Sequence, residues 1–190
     1  MKVGLFFGSF NPIHCGHLVI ASYLAEFTDL DQVWLVVSPH NPHKLKHTLL
    51  QDHHRLALVK AAIGDNRKIK ASDIEFKLPK PSYTIFTLTS LHEKYPEHQF
   101  VLILGSDNLE TFHKWKNYEQ ILEHNQLYVY PRKESPGGDL VNHPNVQLIP
   151  APQMELSSTF IREAIKSKKD VRYMVPESAW NYIEEMNFYR

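Results

Sequence analysis

Cysteine, net charge and long apolar runs are all scarce in this sequence, and each shortage excludes a class of protein. The 190 residues include one cysteine, Cys15, so no intramolecular disulfide can form and we expect a reducing compartment. Lysine and arginine (21) balance aspartate and glutamate (21), which gives no overall basic field for nucleic acid or an anionic membrane. No apolar run approaches the roughly 18 residues of a membrane span, and the first residues lack the basic start and cleavage site of a signal peptide. We therefore expect a cytoplasmic protein without a nucleic-acid or membrane partner.

The length and composition of the chain are those of an ordinary globular protein. Hydrophobic residues make up 43% and charged residues 22% of the sequence, close to the averages for folded domains. A chain of this length can bury about 70% of the surface that its unfolded state would expose. We expect one domain over residues 1–190, and self-association into a homo-oligomer is compatible with this composition.

The pattern of apolar residues predicts alternating strands and helices. Short runs rich in Val, Leu, Ile and Phe indicate buried strands, at residues 2–7, 32–37, 68–76, 100–104, 126–130 and 146–149. Helical spacing fills most of the connections, with helices that begin near residues 16, 52, 83, 118, 159 and 176. Asp52 is the predicted N-cap of the second helix. Because strands alternate with helices, we expect an α/β fold with a Rossmann-like parallel sheet and a small helical C-terminal part.

The segment GSFNPIHCGH, residues 8–17, follows the first predicted strand and leads into the first helix. Small residues and a proline predict a turn, so the strand delivers this turn to a helix N-terminus. Free backbone N–H groups and the positive end of the helix dipole attract phosphate at such a position. His14 and His17 can each donate a hydrogen bond to a phosphate oxygen. A surface turn with two incidental histidines is the alternative, and we favour the phosphate site.

A second segment, SSTFIR at residues 157–162, has the features of another anion site. Ser157 or Ser158 can cap a helix that begins near Thr159, and Arg162 follows one turn later. Backbone N–H groups and a guanidinium fork together can hold a polyphosphate. Taken alone, an ordinary N-cap with a surface arginine explains this pattern equally well.

These two segments resemble the paired signatures of the HxGH nucleotidyltransferase superfamily, G-x-F-[DN]-P-x-H-x-G-H and I-S-S-T-x-I-R, with Leu156 in place of the usual isoleucine. Three further stretches are similar to those of nicotinate-nucleotide adenylyltransferases: PHK at 42–44, PSYT at 81–84, and GSDNL at 105–109 followed by Trp115. The resemblance spans nearly the whole chain. Two positions differ from the family pattern: Phe86 replaces an aspartate, and PRK at 131–133 replaces Arg-Pro-Gly.

The resemblance implies a Rossmann-like nucleotidyltransferase fold and transfer of an adenylyl group from MgATP to nicotinate mononucleotide. The products are deamido-NAD and pyrophosphate, in NAD biosynthesis. The implied catalytic residues are His14, His17, Lys44 and Arg162. The implied ATP-binding residues are Gly8, Ser9, Phe10, His14, His17, Gly105, Asp107, Ser158, Thr159 and Arg162. The implied mononucleotide-binding residues are Lys44, Tyr83, Thr84 and Trp115. Mg²⁺ is expected to arrive with ATP and to keep several waters, so no protein ligands are assigned to it.

Three other functions compete with this interpretation. Phosphopantetheine adenylyltransferase, or another HxGH nucleotidyltransferase, shares both phosphate motifs but lacks the PSYT and Trp115 segments. A catalytically silent nucleotide sensor needs affinity but not a full set of transition-state groups. A metal-binding module could use His40, His43 and His47, although a proline-rich loop without cysteine favours solvated histidines. We interpret Cys15 as a residue of the turn without a chemical role rather than as a nucleophile.

Overall fold

The fold of this chain is a parallel β-sheet covered by helices, in a computed structural model that describes residues 1–39 and 49–190. The strands are β1 (Lys2–Gly8), β2 (Gln32–Val37), β3 (Ile69–Ser72), β4 (Gln99–Gly105), β5 (Gln126–Tyr130) and β6 (Val146–Leu148). The helices are α1 (Cys15–Phe27), α2 (Asp52–Ile63), α3 (Thr84–Lys94), α4 (Ser106–Glu110), α5 (Tyr118–His124), α6 (Ser158–Lys166) and α7 (Glu177–Glu185). Within the described ranges, none of the helices combines the length and apolarity needed to span a bilayer.

In the part of the chain that the structure describes, six strands lie in the order β3-β2-β1-β4-β5-β6, and every neighbouring pair is parallel. The order reverses between β1 and β4, because the chain builds one half of the sheet outward from β1 and the other half outward from β4. In open α/β sheets, ligands bind outside the carboxyl ends of the strands at this reversal. Gly8 and Gly105 end the two strands there. The predicted Rossmann-like parallel sheet is confirmed.

Apolar side chains from both faces of the sheet form two hydrophobic cores. Strand β1 sends Phe6 into the core beneath α1, α2, α6 and α7, and it sends Leu5 into the core beneath α3 and α5. A parallel sheet covered on both faces needs nearly continuous apolar strands, which explains runs such as FVLIL in β4. Ile161 of α6 and Ile183 of α7 are fully buried in the first core. The C-terminal helices therefore pack on the same core as the sheet.

Several predicted boundaries were wrong. The third strand ends at Ser72 rather than at residue 76, since the chain turns into a 3₁₀ helix over Ile74–Lys77 in which the Phe76 N–H donates to Asp73 O at 2.9 Å. Helix α2 is capped by Gln51 rather than by Asp52. Asp52 is its first residue, and its carboxylate accepts from Arg55 at 2.7 Å instead of capping the helix. The last strand ends at Leu148, one residue earlier than predicted.

Candidate active site

The turn between β1 and α1 is tightly packed against the core. Phe10 has a positive φ of 45°, and the Asn11–Pro12 peptide bond is cis. The Phe10 ring is buried, 6.1 Å from the ring of Phe6 and 5.0 Å from that of His17 between centroids. A Cβ at Gly8 would lie 2.8 Å from the Phe10 ring, so only glycine fits there. Because its ring is enclosed in protein, Phe10 can meet a ligand only through its backbone.

His14 and His17 lie together at the start of α1. Their rings are stacked, with centroids 3.7 Å apart and planes inclined by 26°. The backbone N–H of His14 donates to Nδ1 of His17 at 3.2 Å. Since Nδ1 accepts in this bond, the neutral His17 ring carries its proton on Nε2, the tautomer that donates from the far side of the ring.

His14 is a buried, neutral imidazole. Its exposed fraction is 5%, and burial, with the positive charge of Arg132 as a second cause, lowers its pKa to about 4. Its Nδ1 atom has no hydrogen-bond partner within the described part of the chain. A Cβ at Gly16 would lie only 3.1 Å from that nitrogen, so the glycine leaves space for the His14 ring. The arrangement holds a hydrogen-bonding ring that keeps no charge near pH 7.

The N-terminus of α6 is bonded to the turn after β1. The Ser157 hydroxyl caps the helix by accepting from the Phe160 N–H at 3.1 Å. The Ser158 hydroxyl donates to Pro12 O at 2.8 Å, and Arg162 Nη1 donates to Asn11 O at 2.8 Å. The two segments singled out in the sequence, about 150 residues apart, therefore form one site.

Arg162 has a fixed position in this site. Besides its bond to Asn11, its Nη2 donates to the Thr159 hydroxyl at 3.2 Å. A guanidinium has five N–H donors in a rigid fork, and these bonds orient the fork across the N-terminus of α6. The alternative of a surface arginine on an ordinary capped helix does not account for the bond to the β1–α1 turn.

The carboxyl end of β4 brings Gly105 and Asp107 to the same edge of the sheet. A Cβ at Gly105 would collide with the Asp107 carboxylate, so a larger residue at this position would displace that side chain. Arg132, whose position the sequence did not indicate, donates its backbone N–H to the Ser106 hydroxyl at 2.8 Å. Its guanidinium lies 5.2 Å from the centre of the Tyr130 ring and 3.9 Å from an Asp107 oxygen. The loop after β5 thus adds a cation to the candidate site.

A cleft of about 420 Å³ opens between the end of β5 and the start of α6. Its apolar lining comes from residues that include Ile20, Met154 and Phe160, and its polar lining includes Asp107 and Arg132. Concave sites with apolar walls and a few polar groups suit small organic ligands. The cleft lies beside the phosphate-type donors of α1 and α6, as a nucleoside attached to a phosphate chain would require.

A second group of predicted residues meets at the start of α3. Tyr83 is the N-cap of α3 and Thr84 is its first residue. The ammonium of Lys116 lies over the Tyr83 ring, 4.7 Å from its centre, and over the Phe86 ring at 4.6 Å. Trp115, half-buried and 4.9 Å from the Phe112 ring between centroids, immediately precedes this lysine. The Tyr83–Thr84 and Trp115 segments are therefore joined through Lys116.

Arg55 was missed by the sequence reasoning. It is fully buried, and its guanidinium donates to four backbone carbonyls and one carboxylate. The acceptors are Ser9 O, Ser38 O, Pro39 O, Leu50 O and Asp52 Oδ1, at 2.6–3.3 Å. The sequence did contain a signal for this role. Arg55 lies on the same face of α2 as Leu58 and Val59, and charged residues rarely occupy a buried helix face unless they are paired.

Glu75 was also missed. Its carboxylate accepts from the Thr87 hydroxyl of α3 at 2.7 Å, both groups are buried, and burial raises the pKa of Glu75. The bond ties α3 to the segment after β3. A single acidic residue in a predicted strand gives no sequence signal for such a contact.

Four predicted residues lie outside the described residues: Lys44, His40, His43 and His47. The catalytic and substrate-binding role of Lys44 stays a prediction, and so does the interpretation of the three histidines as solvated loop residues rather than metal ligands. In residues 1–39 and 49–190, no three His, Cys, Asp or Glu side chains are grouped in a way that could hold a metal ion.

Comparisons with known proteins agree with this geometry. A sequence model of the cytidylyltransferase-like family matches residues 5–164. A nicotinate-nucleotide adenylyltransferase of Flavobacterium johnsoniae is 57% identical over 192 aligned residues, which cover the whole of both chains. A relative of the same name from Bacteroides thetaiotaomicron is 47% identical over 97% of this chain and 92% of its own.

Solved structures share the fold. The nicotinic acid mononucleotide adenylyltransferase of Plasmodium falciparum, complexed with NaAD, superposes with a TM-score of 0.84 at 22% identity, over 99% of this chain and 97% of its own. At that identity the likeness concerns the fold, whereas the bacterial relatives are similar in sequence over their full length. The chain therefore belongs to the nicotinate-nucleotide adenylyltransferase family.

Proposed function

We propose that this protein transfers the adenylyl group of ATP to nicotinate mononucleotide and releases pyrophosphate. The observation that carries the proposal is the bonding of the α6 N-terminus to the β1–α1 turn through Ser158 and Arg162. That contact gathers imidazole, guanidinium and helix N–H donors at one end of a nucleoside-sized cleft. Membership of the family supports the choice of substrates.

The reaction is a single in-line displacement. A phosphate oxygen of the mononucleotide forms a bond to the α-phosphorus of ATP, and the bond from that phosphorus to the bridging oxygen of pyrophosphate breaks. No covalent protein intermediate is needed, and burial raises the pKa of the one cysteine, Cys15, which keeps it a thiol. Catalysis then consists of positioning and of stabilising charge that grows on the α-phosphoryl and leaving oxygens.

The phosphate donors divide between two ends of the triphosphate. We assign His14 and His17 to the α- and β-phosphates, and Arg162 with the N–H groups of Ser158 and Thr159 to the β- and γ-phosphates. The low pKa of His14 supports a neutral donor there, whose hydrogen bond strengthens as charge develops. Lys44 is assigned to the phosphates from the resemblance alone.

The second substrate is assigned to the start of α3. The N–H groups at Tyr83 and Thr84 can donate to a carboxylate with the favourable end of the helix dipole behind them. Trp115 can stack on a flat pyridine ring. Asp107 follows the carboxyl end of β4, and we assign it to accept from a ribose hydroxyl of the adenosine.

A divalent cation accompanies the nucleotide in this scheme, and we propose that it is Mg²⁺. The donor set fits a cation held by phosphate oxygens and water, because the described site residues are mostly hydrogen-bond donors and cations. When bound, the ion would neutralise charge on the triphosphate.

The cellular setting is also a proposal. One free cysteine, Cys15, is compatible with the reducing cytoplasm. Self-association into a homo-oligomer stays a prediction.

The test measures pyrophosphate release from MgATP under three conditions: with nicotinate mononucleotide, with 4′-phosphopantetheine, and without an acceptor. We expect release only with nicotinate mononucleotide. Release with phosphopantetheine instead would mean that the enzyme uses another acceptor and would contradict the proposal. ATP binding without release under all three conditions would support a nucleotide sensor and contradict the proposal.

A further inference from the structure

Lys116 carries a positive charge that two aromatic rings hold in place. Its ammonium lies 4.7 Å from the centre of the Tyr83 ring and 4.6 Å from that of Phe86. These rings stand nearly perpendicular to each other, at 86° with centroids 5.9 Å apart, and the ammonium contacts both. Cation–π contacts form within about 6 Å of a ring centre, so both rings attract the lysine head.

None of the ion pairs found within residues 1–39 and 49–190 includes Lys116. A carboxylate partner would cancel most of the field of the lysine beyond the pair, whereas an aromatic ring has no net charge and leaves that field in place. Phe86, one of the residues that differ from the family pattern, is one of the two rings. The cluster therefore presents a net positive charge beside the N-terminus of α3.

The position of this charge matches one end of the proposed mononucleotide site. Tyr83 is both a ring of the cluster and the N-cap of α3, and Trp115 is the residue before Lys116. The neighbouring stretches, residues 81–84 and 112–116, contain no acidic side chain. The α3 dipole and Lys116 thus add fields of the same sign at this place.

We propose that Lys116 is a specificity-determining residue that favours nicotinate over nicotinamide mononucleotide. The inference rests on the proposed function and deepens it. The two substrates differ at the pyridine substituent, which is an anionic carboxylate in one and a neutral amide in the other. Their phosphates carry the same charge, so any effect of Lys116 on the phosphate cancels in the ratio of the two activities.

The test compares kcat/KM for both mononucleotides in the wild type and in Lys116→Met, which keeps the length of the side chain but removes its charge. One charge near a surface site changes the preference by about fivefold to twentyfold. We expect the ratio of acid to amide to fall by this factor in Lys116→Met, through a loss on the acid, with kcat/KM for the amide within about twofold of wild type.

Two further variants separate charge from structure. Lys116→Arg keeps the cation and the ring contacts, so it should keep the preference. Lys114→Met removes an exposed lysine two residues earlier and is the matched control, with no expected change. Raising the ionic strength from about 0.05 to about 0.5 M should lower the wild-type ratio by a larger factor than the ratio of Lys116→Met, because the wild type loses the field of the lysine as well as part of the field of the α3 dipole.

The outcomes that overturn this inference differ from those that overturn the proposed function. Equal loss with both mononucleotides in Lys116→Met would mean that Lys116 holds the Trp115 segment or the phosphate, and no change in the ratio would mean that it has no role in selection. Either result leaves adenylyl transfer intact. Absence of transfer to either mononucleotide by the wild type would instead contradict the proposed function.

Discussion

His14 and His17 are stacked imidazoles with different surroundings. Two positively charged imidazolium rings with centroids 3.7 Å apart would repel each other. The pKa of about 4 keeps His14 neutral over the physiological range, so this repulsion does not arise. The protein therefore presents hydrogen-bond donors to the proposed triphosphate rather than two fixed charges. Such donors gain most when the oxygen they face becomes more negative.

Replacing His17 by alanine should lower kcat with a much smaller effect on ATP binding. Loss of one preorganised donor to a developing oxyanion costs about 100-fold to 1,000-fold in kcat, whereas the ground-state bond to ATP is weaker. Single-turnover rates and the equilibrium Kd for ATP measure the two effects separately. A near-wild-type kcat would remove His17 from the mechanism.

Replacing His14 by glutamine should flatten the dependence of stability on pH between about 6.5 and about 4. In that range the unfolded chain binds a proton at His14 and the folded chain does not, so the wild type loses free energy of unfolding as the pH falls. For a shift from 6.5 to about 4 the full loss is about 3 kcal/mol, of which about 2 kcal/mol falls between pH 7 and pH 5. Urea unfolding at pH 7 and pH 5 measures it, and His113→Gln controls for removal of an exposed histidine. Parallel curves for wild type and His14→Gln would contradict the buried, neutral state.

The identity of these two residues could be predicted from the sequence, since their spacing around Cys15 and Gly16 is local. The neutral state of His14 could not be, because it depends on burial by other elements and on Arg132, which lies 118 positions later in the numbering. Phe10 illustrates the same limit. The motif includes it, but its burial depends on the fold, which packs its ring against those of Phe6 and His17.

At the scale of secondary-structure elements, Arg162 joins helix α6 to the β1–α1 turn. Arg162→Lys should not be conservative, because a flexible ammonium cannot reproduce a fork that bonds Asn11 O and still faces phosphate oxygens. We expect weaker ATP binding and slower pyrophosphate release. Lys166→Arg, an exposed exchange at the other end of α6, is the control. An unchanged Kd for ATP and an unchanged rate of pyrophosphate release in Arg162→Lys would mean that Arg162 does not contact the phosphates.

Arg55 joins the turn after β1, the end of β2 and the start of α2. Arg55→Met should lower the free energy of unfolding by about 3 kcal/mol or more, because it leaves buried carbonyls without donors. Arg67→Met, at an exposed arginine, should change it by at most about 0.5 kcal/mol. Chemical denaturation of both variants measures the difference. Equal stability of the two would show that the carbonyls of Ser9 and Ser38 find other donors.

The strands and most helices could be predicted from the periodicity of apolar residues. The errors in their predicted bounds and caps have physical causes. The third strand was predicted too long because alternation continues through Ile74 and Phe76, while the turn that ends it is favoured by the distant Glu75–Thr87 bond. Asp52 looked like an N-cap, but its carboxylate binds Arg55. Short α4 follows β4 directly and has too few residues for a periodic signal.

For the whole molecule, the sheet order explains why the histidine turn and Asp107 lie at one end. β1 and β4 are neighbours at the reversal of the sheet, so their terminal glycines bring the histidine turn and Asp107 to one edge. The sequence indicated a parallel sheet and two phosphate motifs. It did not indicate that Ser158 would bond to Pro12, since a contact across that length of chain depends on how every intervening element packs.

The most direct test of adenylyl transfer uses ATP labelled with radioactive phosphorus at either the α or the γ position, in the presence of nicotinate mononucleotide. We expect α-label to enter deamido-NAD and γ-label to enter pyrophosphate in equal amounts, and both to fall at least about 100-fold in His17→Ala. Recovery of γ-label as orthophosphate, α-label as AMP without the acceptor, or full transfer by His17→Ala would contradict it.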